Sequence, residues 1–222
     1  MEAAAIRRWT AVGGVSKVAG MRIMRAAQTL EWGALDLPLQ GLERDWEGEA
    51  VTPPAMFALA ADASRLWFVA ACAAPAVMHP AVRPGAFQAG LWKHDVAELF
   101  LADPASGRYL EVNLAANGAW WSCGFSAPRK RASEDERPWP GVETHADWAP
   151  GGGWVAALAL PLEPLREWLG FGCATTANVA FILGSPAQRF LTAADLGPGE
   201  PDFHRPARFS ALRWVEEGTT DE

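Results

Sequence analysis

The chain has 222 residues, half of them hydrophobic and 20% charged, which suits one large domain with a substantial core. Its net charge of −7 argues against nucleic acid as a partner, because phosphates reward basic surfaces. No run approaches the roughly 20 apolar residues of a membrane span, and the apolar stretch before Lys17 is too short for a secretory core, so the chain is expected to be cytoplasmic.

In chain order, residues 1–27 read as a flexible leader, 28–216 as one domain and 217–222 as a tail. Strand-like runs fall at 29–35, 56–61, 66–72, 95–102, 108–115, 119–125, 142–148, 154–160, 178–184, 188–192 and 209–215. Pro, Gly and Asp turns separate them. One helical pattern, at 162–169, lies between Pro161 and Gly170. There is no βαβ alternation. Short, regularly spaced strands predict an all-β, antiparallel β-sandwich with one short helix. The charged, Pro-rich segment 128–141 reads as a loop, in which Arg129-Lys130-Arg131 is answered at once by Glu134-Asp135-Glu136.

Three cysteines, Cys72, Cys123 and Cys173, cannot all pair and show no metal spacing. Cys72 and Cys123 lie in apolar runs and read as buried thiols, so neither metal nor cofactor is expected. Twelve Trp against one Tyr is the unusual feature. Twelve indoles exceed what one core easily absorbs, which predicts that some line a site.

Residues 95–125 are the most informative. The turn signals at 103–107 and at Asn117-Gly118 make three strands meander, and side-chain parity assigns their faces. Leu99, Leu101, Leu110, Val112, Leu114, Trp121, Cys123 and Phe125 are assigned to the core. Glu98, Phe100, Tyr109, Glu111, Asn113, Trp120 and Ser122 take the other face. Carboxylates, an amide and aromatics on rigid strands suit a ligand site. A polar outer face covered by the 126–141 loop is the alternative.

The segments Leu91-Trp92-Lys93-His94-Asp95-Val96-Ala97-Glu98, Arg108-Tyr109-Leu110-Glu111-Val112-Asn113 and Asn117-Gly118-Ala119-Trp120 carry a resemblance. They resemble the DOMON-like superfamily, in the branch related to family 9 carbohydrate-binding modules. The closing Pro201-Asp202-Phe203-His204-Arg205-Pro206 is similar to the end of small bacterial members. The resemblance spans about residues 28–215 and implies a β-sandwich. In family 9 modules a terminal sugar lies between two indoles. Trp92 matches one of these, and Trp120, Trp121, Trp139 and Trp148 are all open for the second. Other DOMON domains hold haem through Met with His or Lys.

The expected function is therefore a non-catalytic domain binding a small-molecule or saccharide ligand on one sheet face. Trp92 and Trp120 would serve as platform, with Glu98, Glu111, Asn113 and Arg129 on the hydroxyls. Two alternatives stay open. Haem would need an axial pair drawn from Met56, Met78, His79, His145 and His204. A glycoside hydrolase would need two carboxylates about 5–10 Å apart, a role open to Glu98 and Glu111.

Overall fold

A computed structural model describes residues 20–217. Among them thirteen strands form one curled, mixed sheet. The strands are β1 Met21–Arg25, β2 Gln40–Arg44, β3 Ala50–Ala61, β4 Arg65–Cys72, β5 Val96–Ala102, β6 Tyr109–Leu114 and β7 Trp120–Ala127. They continue as β8 Lys130–Arg131, β9 Glu143–Trp148, β10 Trp154–Pro161, β11 Thr176–Leu183, β12 Arg189–Thr192 and β13 Ser210–Glu216. Among the described residues one α-helix, α1, covers Leu162–Leu169, as its flanking Pro161 and Gly170 predict. Leu162, Leu165 and Leu169 recur at helical spacing and are buried.

The sheet runs β8-β7-β6-β5-β11-β13-β1-β3-β4-β10-β9, with β12 added to β11 and β2 to β3. β13 carries the chain of pairing from one half to the other: Ser210 and Ala211 pair with β11, and Leu212–Glu216 pair with β1. The pairs β1·β13 and β1·β3 are parallel, which makes the sheet mixed where an antiparallel one was expected. Curling brings the two halves face to face. Phe57, Leu59 and Phe68 from one half share a core cluster with Leu99, Leu110, Val112 and Phe181 from the other.

Several expectations shift. β1 lies inside the segment read as a leader; residues 1–19 of that segment fall outside the described residues, as do 218–222 of the tail. Residues 29–35 form no strand. Instead the chain there crosses the outside of the sheet, laying Leu35, Leu37 and Leu39 on Ala58, Val69 and Val155. Of the thiols, Cys72 is buried, Cys123 half-buried and Cys173 exposed. Among the described residues no helix is long and apolar enough to cross a membrane.

Candidate ligand-binding site

The outer face of the β7-β6-β5-β11 half is the unusual one. In register across β6, β5 and β11, Asn113 lies opposite Glu98 and Glu98 opposite Ala180. One step along, Cys123 lies opposite Glu111 and Glu111 opposite Phe100. Glu98 and Glu111 are thus diagonal neighbours, a relation that places Cα atoms about 7–8 Å apart. Two further elements close over this face. The 3-10 turn Leu91–Lys93 brings in Trp92, and the segment before β13 brings in Pro201, Asp202, Phe203 and His204. Together they enclose a pocket of about 340 Å³, within the usual range for small-molecule sites.

Asp95 anchors the Trp92 turn. Its carboxylate accepts the Val77 N–H at 3.1 Å and the Ser185 N–H at 2.9 Å. Gln188 also donates to the Trp92 carbonyl at 3.1 Å. The Trp92 ring then packs on Trp121 with centroids 5.0 Å apart and planes tilted by 58°. That is direct contact. Arg131 lies over the Trp121 ring at 5.7 Å, and Phe125, Phe190 and Phe203 complete the aromatic wall.

A second anchor crosses from sheet to loop. Tyr109 is fully buried, and its hydroxyl accepts the Arg129 N–H at 2.9 Å and lies 2.8 Å from His204 Nδ1. With the Arg129 N–H on its acceptor side, the phenol donates to Nδ1, which leaves the His204 proton on Nε2. Nε2 faces the Glu111 carboxyl at 3.7 Å. Burial holds His204 down to about 4, helped by the Arg129 charge and opposed by Asp202, so the ring is neutral near pH 7. Arg129 itself has φ 59°, a backbone conformation uncommon outside glycine, and its guanidinium donates to Asp202 at 2.8 Å. Strained backbone of this kind gathers at ligand sites.

The two carboxyls at the floor are buried, Glu98 3% and Glu111 5% exposed. Burial pushes Glu98 well above the usual carboxylate range, and the charge of Glu111 adds to this. Burial likewise raises Glu111 to about 7, against the pull of Asn113, Arg131 and Arg129. Asn113 is wholly buried, and neither amide atom meets a partner at normal hydrogen-bond geometry.

Three solved structures share this architecture. A presumptive carbohydrate-binding protein from Bacteroides uniformis aligns with TM-score 0.65 at 16% identity, covering 89% of this chain and 100% of that one. A family 9 carbohydrate-binding module from Caldicellulosiruptor kristjanssonii in complex with cellotriose aligns at TM-score 0.59 and 13% identity, covering 89% of this chain and 95% of that one. The module with glucose aligns at 0.58 and 14%, covering 90% and 98%. The likeness is one of fold. No protein-family model matches the sequence, and no curated protein matches it.

On this fold Trp92, Glu98, Glu111 and Arg129 come together around the pocket. Asn113 shares their face but lies beneath it, between Glu98 and Trp121 in register. Trp120 does not join them. It pairs with Leu114 and packs in the interior core, edge-on to Phe87 at 5.1 Å, while Ser122 opposite Val112 faces the same way. Trp121, Cys123 and Phe125, expected in the core, occupy the pocket face instead. The reason is the turn. Ala115 pairs with Ala119 around a three-residue loop, in which Gly118 N–H donates to the Ala115 carbonyl and Gly118 takes φ 80°. A two-residue Asn-Gly loop would have put Trp120 on the site face; one more residue exchanges every side chain of β7 between faces.

Of the other Trp residues open for a clamp, Trp139 packs on Trp168 beside a separate cavity, and Trp148 is exposed on β9. Reading the sequence missed Arg131 on β8, Phe190 on β12, and Asp202 and Phe203 on the segment before β13, all brought in from distant positions. His145 stacks on Trp32 and Trp67, and neither Met56 nor Met78 lines the pocket.

Proposed function

We propose that this chain is a non-catalytic carbohydrate-binding domain that holds a sugar in the pocket over Glu98 and Glu111. The reading rests on one observation: an indole surface from Trp92 and Trp121 adjoins buried carboxyls within a single cavity of about 340 Å³. Sugars offer apolar C–H faces and hydroxyl donors together, and this lining complements both. The fold shared with modules solved in complex with cellotriose and glucose supports it. Trp92 and Trp121 touch one another, so a ring would lie against them as one platform, flanked by Phe203, with Arg129 and Asp202 at the rim.

Burial raises both floor carboxyls, Glu98 further than Glu111, so hydrolysis is a matter for the product assay. The test is isothermal titration with glucose, cellobiose and cellotriose beside a product assay. Saturable binding without hydrolysis is the expected result. Absence of binding to any saccharide across a broad glycan panel would end the proposal.

A further inference from the structure

Among the described residues no Lys or Arg forms an ion pair with the carboxyls on the pocket floor, although the Arg129 and Arg131 charges pull on Glu111. Arg129 and Arg131, the arginines lining the pocket, are committed elsewhere: Arg129 donates to Asp202 at 2.8 Å and Arg131 to Glu136 at 2.7 Å. His204 approaches Glu111 at 3.7 Å but is neutral, its Nδ1 taken by Tyr109. No ion pair or hydrogen bond within normal distance reaches Glu98 among the described residues, although it lines the cavity and is 3% exposed. A buried carboxylate without a partner is costly, and a ligand that supplies the missing charge removes that cost. The walls point the same way, since the aromatic rings of Trp92, Trp121, Phe190 and Phe203 favour a cation over any anion.

We propose that the pocket selects a saccharide carrying a protonated amine, with the ammonium seated between Glu98 and Glu111 and the sugar ring against Trp92. This deepens the carbohydrate reading above and rests on it. An ammonium offers three N–H donors, enough to engage both diagonal carboxyls, and charge-assisted bonds are roughly twice as strong as neutral ones. A neutral hydroxyl at the same point would leave the floor holding its protons.

Proton linkage follows from the same arrangement. Both carboxyls must ionise to receive an ammonium, so affinity rises with pH through the raised titration of Glu111, at about 7, until the amine loses its own proton. The groups facing them are Arg129, Arg131, Asp202, His204, Tyr109 and Cys123. His204 titrates near 4, while Tyr109 and Cys123 are raised to about 12 and about 11, so none of these three changes charge in that window.

The experiment is calorimetric titration of the intact chain with glucosamine, glucose, N-acetylglucosamine and ethanolamine at pH 6 and 7.5. Glucosamine is expected to bind about tenfold or more tighter than glucose and N-acetylglucosamine, to tighten at the higher pH, and to release protons on binding. Glu98→Gln and Glu111→Gln, both isosteric, are expected to abolish the preference for glucosamine over glucose. Equal affinity for glucose and glucosamine overturns the ammonium site and leaves the carbohydrate reading standing. Ethanolamine as tight as glucosamine overturns the saccharide part. Silence from all four overturns the proposal, and the broad glycan panel above then decides the carbohydrate reading separately.

Discussion

Trp120 and Trp121 are neighbours in sequence with opposite surroundings. Trp120 is 7% exposed in the interior core and Trp121 is 2% exposed beneath Trp92 and Arg131. Trp120→Ala should therefore cost about 3–5 kcal/mol of folding stability as a core cavity. Trp92, half-buried at the rim, should behave differently: Trp92→Ala should weaken sugar binding by roughly 1–3 kcal/mol with little change in unfolding midpoint. Urea unfolding beside calorimetry separates the two, and a Trp92 variant that unfolds as readily as Trp120→Ala would remove it from the site. Tyr109 links strand to loop through one oxygen. Tyr109→Phe leaves the Arg129 N–H and His204 Nδ1 unpaired, at a cost of about 1–3 kcal/mol. It should also raise ligand affinity losses out of proportion to the residue's own contact, because the loop that carries Asp202 and His204 loses its tether.

At the level of elements, what could be read from the sequence was local alternation. Leu99 and Leu101 against Glu98, and Leu110 and Val112 against Glu111, gave the faces of β5 and β6 directly, since the connection between them keeps Ala102 opposite Tyr109. β7 inverted because one loop residue decides its parity, and Asn117-Gly118 does not by itself announce a loop of two or three residues. β1 escaped notice for another reason: its partner Leu212 lies at the far end of the chain, and five residues bearing Arg22 and Arg25 carry little pattern of their own. Its buried Ile23 nevertheless fills the interior core beside Met21. Ile23→Ala should accordingly cost about 2–5 kcal/mol in chemical denaturation, which a dispensable leader would not show.

For the whole molecule, folding places two carboxyls and a histidine against their own preferences, and this makes stability depend on pH in a defined way. Glu111 titrates at about 7 in the fold against an ordinary value of 4.5, so its contribution is complete below 4.5 and is lost as pH rises through about 7. Glu98, raised further in direction by burial, extends that loss to higher pH. His204 runs the other way: at about 4 in the fold against 6.5, its contribution is complete above 6.5 and is lost as pH falls through about 4. Asp45, Asp62 and Asp202, held below their ordinary 3.8, act only under acid conditions. Between 4.5 and 6.5 the carboxyl and histidine slopes oppose each other; above that only the carboxyl slope remains. The ligand-free protein should thus lose stability from pH 6.5 to pH 8, with Glu111→Gln flattening the decline and standing more stable at pH 8 by about 1–3 kcal/mol. Thermal unfolding of both proteins across that range measures it. Wild-type stability that climbs from pH 6.5 to pH 8, with the Glu111→Gln variant less stable throughout, would mean that the floor carboxyls are ionised and already compensated in the folded chain, and the case for an ammonium between them would fall with that finding.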